Sequence, residues 1–331
     1  MAEDKNMTIS DIANELGVSK TTVSRAISGK GRIGADTRQK ILSYIEEHNY
    51  HPNVIAKGLA KSKTYNIGLV IPGDYNIVEL PFFQKCMLGI SKIASSMDYD
   101  VLLTIVTDDD ISQLKRVVIN HKADGIILTR THVNDVSAKY LQEMNIPFVT
   151  IGSMEDSSIV QIDNDHRTAC KELTKKLLEQ GADKIALIGG SQDYVVTKSR
   201  LEGFISACLQ MGKVPDKEHI YLDVKDEENV RQIVDKLMND SIDCIVTMDD
   251  YLCSCVLDTL RRKKVAISNG IKVASFYNSS ILDNYISDIP SIIFDVEELG
   301  ETTCRTLLRM IKGETVSQKT LLGYKLTMQE D

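Results

Sequence analysis

The apolar positions of residues 8–50 recur at helical spacing. Ile9, Ile12, Ala13 and Leu16 share one face and predict a first helix. Thr8, with Asp11 three residues on, is a T-x-x-D capping-box pattern at its start. Gly17 ends it, because glycine accepts the left-handed backbone of a helix stop. Ser19 caps a second helix over 20–27 with Val23 and Ile27 inward, and residues 29–31 read as a loop. A third helix is predicted over 35–49. Gly34 caps it, Asp36 favours its N-terminal dipole, and Ile41, Leu42 and Ile45 form its inner stripe. Gly17, Val18 and Ser19 join the first two helices at the spacing of a helix-turn-helix, and Ala13 is small enough to let them cross closely. A three-helix bundle with no nucleic-acid role has the same periodicity.

Residues 51–64, HPNVIAKGLAKSKT, read as a linker. Pro52 opens a helical turn or two through Ala60. Gly58 weakens that helix by about 1 kcal/mol relative to alanine. So short a segment needs a partner to fold.

From residue 65 the period changes. Strands are predicted at 66–72, 100–106, 123–129, 146–152, 184–190, 219–223, 244–248 and 271–276. Helices fall between them at 82–97, 111–121, 135–144, 165–180, 199–211, 227–239 and 250–262. The alternation implies parallel sheets with helices on both faces, in two similar lobes. A small-molecule cleft is expected between the lobes, beyond the carboxyl ends of the strands.

Composition narrows the function. The 331 residues are 43% hydrophobic and 26% charged, an ordinary globular balance. No apolar run is long enough for a membrane span, and the N-terminus lacks a signal-peptide stretch, so a cytoplasmic protein is expected. Seven cysteines from Cys86 to Cys304 include no CxxC pair. Cys253 and Cys255, the closest two, have poor spacing for zinc, so reduced core cysteines are expected. Residues 1–63 hold ten Lys/Arg against seven Asp/Glu, a net of +3; the rest hold 29 against 40, a net of −11. A mildly basic head on an acidic body suggests that only the head meets a polyanion. No G-x-G-x-x-G, P-loop, G-x-S-x-G or H-E-x-x-H is present, and the histidines are scattered. Neither an enzyme nor a cofactor or metal site is expected.

The order of motifs is more specific. VSKTTVSRAI and YHPNVIAKGL, followed by IGLVIP, PFFQKCMLGI, ADGIIL, IDNDHRTA, KIALIGG and RLEGF, resemble the LacI/GalR family of bacterial transcription regulators over nearly the whole chain. The resemblance implies an α + α/β fold. A helix-turn-helix head (1–51) and a hinge helix (52–64) would precede a two-lobed, periplasmic-binding-protein-like body with parallel sheets (65–331). The first lobe would cover about 65–162 and 291–322, and the second about 163–290 and 323–331.

The resemblance also assigns roles. The second helix would enter the major groove, with Lys20, Thr21 and Arg25 at base edges. Ser19, Thr22 and Ser24 would contact phosphates. Lys20 also fits a solvated surface position. Leu59 would wedge into the minor groove with Ala56 allowing close approach. Phe82, Phe83, Asp163, Arg200, Asp249, Tyr277 and Asn278 would line an effector cleft. Phe82 and Phe83 also fit lobe core, Asp163 a helix N-cap, and Arg200 a structural ion pair. At 273–280 the sequence VASFYNSS departs from the common family form, putting Tyr277 where a ligand-binding aspartate is usual. With FDVEELG at 294–300, these features resemble the maltose-operon repressor branch. The implied protein is a homodimer on a near-palindromic double-stranded DNA operator, controlled by a sugar, with no membrane partner. No heptad tail follows Asp331, which favours a dimer over a tetramer. The alternative within the family is a catabolite-control-type regulator switched by a phosphorylated carrier protein.

Overall fold

Thr8 caps the first helix, α1 (Ile9–Glu15). Its hydroxyl accepts the Asp11 N–H at 3.3 Å, and the Asp11 carboxylate accepts the Thr8 N–H at 2.8 Å. This is the reciprocal capping box that the sequence predicts. Gly17 then turns the chain with φ +64°, and α2 (Lys20–Ser28) and α3 (Ala35–Glu47) follow. Ile12, Ala13, Val23, Ala26, Ile41 and Tyr50 form the head's core. Leu42, expected on the inner stripe of α3, is exposed. It lies about 100° around the helix from Ile41, and Tyr44 and Ile45 cover the core instead.

The computed structural model describes residues 7–29, 31–50, 58, 63–73, 81–107, 109–265, 271–285 and 289–328. The chain divides into two compact units, 1–64 and 65–331. The expected hinge helix, with Ala56 and Leu59, lies outside the described residues apart from Gly58.

The second unit starts with β1 (Asn66–Pro72), α4 (Pro81–Ser96), β2 (Asp100–Val106), α5 (Ser112–Ile119), β3 (Gly125–Leu128), α6 (Val136–Glu143), β4 (Phe148–Ile151) and β5 (Val160–Asn164). It continues with α7 (His166–Glu179), β6 (Ile185–Ile188), α8 (Val195–Gln210), β7 (Ile220–Tyr221), α9 (Glu227–Asn239), β8 (Cys244–Thr247), α10 (Asp250–Arg262), β9 (Lys272–Ser275) and β10 (Ser291–Ile293). The chain closes with α11 (Val296–Ile311), β11 (Lys319–Leu322) and β12 (Lys325–Thr327).

Two six-stranded sheets result, in the orders β11-β5-β4-β3-β1-β2 and β12-β10-β9-β8-β6-β7. All pairings are parallel except β10 with β12. The sequence reading names neither β5 nor any element after β9. It also sends the chain back to the first lobe at about 291. The return comes later, because Ser291 pairs with Ser275 and Thr327 in the second sheet, and α11 is the first element to rejoin the first. The chain thus crosses between sheets after β5, after β10 and after β11. Two crossings are tied by the Asp165 N–H donating to the Leu322 carbonyl at 3.0 Å.

One apolar core runs through both lobes. It joins Ile67, Leu69 and Ile71 of β1, Ile162 of β5, Leu173 of α7 and Phe204 of α8 to Val246 of β8, Phe276 and Leu299. All seven cysteines are buried and unpaired. Among the described residues no helix is long and apolar enough to cross a membrane. No group of three or more metal-ligating side chains is present among them either.

Candidate functional site

On the head, the Ser19 hydroxyl accepts the Thr22 N–H at 3.0 Å and lies 2.8 Å from the Thr22 hydroxyl. Both hydroxyls are therefore engaged in capping α2. Val23 and Ala26 bury one face of that helix, and Lys20, Thr21, Ser24 and Arg25 are exposed on the other. Gly29 ends the helix in the left-handed region, with φ +69°. Gly31, φ +88°, passes so close to Arg25 that a Cβ there would lie 3.1 Å from Arg25 Cδ. Four donor-bearing side chains thus line the start and outer face of one helix, the arrangement that major-groove reading requires.

In the body the expected cleft residues separate into two groups. Phe82 and Phe83, at the start of α4, meet edge to face at 5.2 Å. Phe82 reaches Tyr277 of the other lobe at 6.1 Å, and Tyr277 lies parallel to Phe294 at 6.5 Å. Phe294 also packs against His166 at 4.7 Å. The Arg200 guanidinium donates to the Met248 carbonyl. Its charge reaches Asp249, Tyr277 and His166. Phe82, Phe83, Arg200, Asp249 and Tyr277 therefore come together where the lobes meet.

Asp163 and Asn278 are committed elsewhere. The Asp163 carboxylate accepts the Ser153 N–H and O–H at 2.8 and 2.9 Å and the Asn164 N–H at 2.8 Å. Nor does it cap α7: Asp165 does, accepting the Thr168 N–H at 3.1 Å. The Asn278 side chain donates to Ser291 Oγ at 2.8 Å, bridging the ends of β9 and β10. Asp249 both belongs to the cleft and caps α10, accepting the Leu252 N–H at 2.8 Å.

Electrostatics follow burial. Desolvation pushes the Asp163 and Asp249 carboxyls up. It raises Asp250, which pairs with the Ser279 hydroxyl, to about 6. Desolvation, with Arg200's charge, holds His166 well below the usual imidazole value.

A cavity of about 210 Å³ opens at the carboxyl ends of β1, β2 and β3, lined by Thr107, Thr129, Arg130, His132, Asn134 and Asp193 among others. A clasp joins the lobes beside it. Residue 132 forms an antiparallel bridge with residue 194. The Val133 N–H donates to the Asp193 carbonyl at 2.8 Å, and the Val195 N–H to the Thr131 carbonyl at 3.2 Å. The Arg130 guanidinium sits 4.4 Å over the Tyr194 ring and donates to its hydroxyl at 3.1 Å.

A helix-turn-helix head and a two-lobed body of parallel sheets are thus carried on one chain. Residues 8–53 match the family of bacterial regulatory proteins named for lacI, and residues 64–329 match the periplasmic binding proteins and sugar binding domain of the LacI family. The chain belongs to the LacI family. It is a transcriptional regulator. It is 30% identical to the HTH-type transcriptional regulator MalR of Streptococcus pneumoniae, over 97% of this chain and 98% of that one. Catabolite control protein A of Staphylococcus xylosus is 24% identical, over 96% of each chain. Among solved structures, the Lac repressor dimer bound to operator and the anti-inducer ONPF superimposes with a TM-score of 0.82. It covers 98% of both chains at 22% identity, a likeness of fold.

Arg130 and Tyr194 beside the cavity, and His166 and Asp250 beside Arg200 and Tyr277, are not among the cleft residues that the sequence reading of this LacI-family body names. His166 stands inside the quoted IDNDHRTA, so its neighbourhood was visible. Arg130 and Tyr194 carried no signal, since a bridge between two loops has no periodicity.

Proposed function

We propose that this chain is a homodimeric repressor of a carbohydrate operon. It binds a near-palindromic duplex, and a small effector in the inter-lobe cleft controls that binding. The exposed row Lys20, Thr21, Ser24 and Arg25 on a capped α2 carries the reading. Arg25 can give two donors to guanine O6 and N7, and Thr21 can pack on a thymine methyl. Ser19 and Thr22 position the helix, and Ala56 and Leu59 take the minor groove by resemblance. A second copy would cover the apolar side chains at the edge of the first sheet. Leu103 and Ile105 of β2 are exposed there, as are Leu88 of α4 and Ile119 of α5, helices that both pack on β2.

Phe82, Phe83, Tyr277, Arg200 and Asp249 are the effector-facing set. Asp163 and Asn278 join them only if they give up their present bonds. Similarity to MalR makes maltose and maltodextrins the first effectors to try.

The test is selection of a randomised duplex library by the full chain, followed by titration of maltose and maltotriose into the complex. Enrichment of a two-fold symmetric site whose affinity changes with sugar is expected. No enrichment of any sequence would end the DNA-reading assignment. A symmetric site unaffected by sugars would favour control by a phosphorylated carrier protein.

A further inference from the structure

Among the described residues, Asn164 Oδ1, His166 Nδ1 and Arg200 Nε are buried side-chain atoms with no hydrogen-bond partner. His166 and Arg200 share one region, and Asn164 stands two residues before His166 in the chain. Asn164 ends β5 on the face that Val160 and Ile162 turn toward the core shared by both lobes. His166 opens α7 two residues on, its ring against Phe294. Arg200, on α8, is near enough for its charge to act on His166, Asp249 and Tyr277. A buried polar atom left unpaired is costly. Three such atoms, where two lobes meet, mark a place that something polar completes.

The donors and acceptors limit what that is. Arg200 Nε only donates, and Asn164 Oδ1 only accepts. His166 Nε2 faces the Asp163 carboxylate at 3.5 Å, and burial keeps the ring neutral. The ring proton therefore belongs on Nε2, and Nδ1 accepts. The occupant must supply two donors and one acceptor. Sugar hydroxyls do both; a phosphate dianion only accepts. Charge points the same way. Asp163 and Asp250 are buried and Asp249 half-buried in this region, and Arg200 is the cation whose charge acts on Asp249.

We propose that Asn164, His166 and Arg200 form a hydroxyl-reading triplet that selects an uncharged saccharide over its phosphate ester. This rests on the reading of the cleft as the effector site.

The test is calorimetric titration of the full chain with matched pairs: maltose and maltose 6′-phosphate, trehalose and trehalose 6-phosphate, glucose and glucose 6-phosphate. One free sugar is expected to bind at least tenfold more tightly than its phosphate. A phosphate ester that binds as well as its parent sugar, or better, overturns the triplet and leaves the effector reading standing. Binding by none of the six withdraws both. Asn164→Leu and His166→Phe each remove an acceptor that is unpaired in the free protein, and His166→Phe also removes the Nε2 contact to Asp163. The melting temperature of the free Asn164→Leu chain is expected to hold or rise, that of His166→Phe to fall, and the Kd of the bound sugar to increase at least fivefold in both. An unchanged Kd in both variants would assign these atoms to ordered water and end the proposal.

Discussion

Arg25 does not bury its side chain; it extends from α2 with its stem against Gly31. A guanidinium held this way can read a base edge in two bonds, whereas a phosphate contact needs only charge. Arg25→Ala is therefore expected to cost about 1–3 kcal/mol on the selected duplex and much less on random DNA. Fluorescence anisotropy at one salt concentration checks this, and equal losses on both DNAs would make Arg25 a phosphate contact. Asp250 gives a different prediction. Its carboxyl rises from 3.8 to about 6 in the folded protein, chiefly by burial. Between those values the folded chain holds a proton that the unfolded chain has released. The corresponding stability is present at low pH and lost as pH rises through about 6. Asp250→Asn keeps an acceptor for the Tyr251 N–H and carries no charge. Its stability is expected to match the parent chain near pH 4 and to exceed it by about 2 kcal/mol at pH 7.5. Melting curves at both pH values decide it. Neither Asp250's burial nor its Ser279 partner, 29 residues on, was legible in the sequence.

At the scale of elements, the helices were read well because their signals are local. The α1 capping box, the Gly17 turn and the α9 and α10 boundaries all follow from residues within a turn of each other. Helix crossings are another matter. A Cβ on Gly89 of α4 would lie 2.2 Å from the Glu297 carbonyl oxygen, and one on Gly300 of α11 would lie 2.3 Å from that of Cys86. The two glycines let α4 and α11 cross backbone to backbone. Gly203 does the same for α8 against Arg167 of α7, which gives the glycine of RLEGF a packing reason. Gly89→Ala must push the helices apart, and a loss of about 3 kcal/mol is expected. Urea unfolding of the full chain should show a lower midpoint with an unchanged slope. A variant as stable as its parent would mean that the crossing relaxes at no cost.

At the scale of the whole molecule, the three chain crossings and the Arg130–Tyr194 clasp beside the cavity both join the lobes. An effector that binds one arrangement of the lobes better than another shifts the equilibrium by that difference and no more. A coupling of 1–3 kcal/mol changes DNA affinity by roughly 5–150-fold. On the proposed function, in which Leu59 wedges into the minor groove, Leu59→Ala should weaken the selected duplex strongly and leave the sugar affinity of the DNA-free chain unchanged. Measuring both affinities on one preparation tests this, and full operator affinity in the variant would remove the wedge from the mechanism.

The alternation of strands and helices, the helix-turn-helix spacing and the ordered motifs placed this chain in its family from sequence alone. Each is carried by short stretches whose apolar period or turn chemistry acts locally. Burial, partner and crossing were decided only in three dimensions. NIGLVIP and DVLLTIV read alike, yet six of the seven residues of β1 are buried while β2, at the sheet edge, exposes Leu103 and Ile105. Asp163 read as a cleft residue or a helix N-cap, yet one of its oxygens accepts from Ser153, ten residues back, and the other from the Asn164 N–H. His166 and Arg200 come near each other only because α7 and α8 pack together. Such meetings depend on which strands pair and where the chain crosses, and a linear pattern of residue types carries neither.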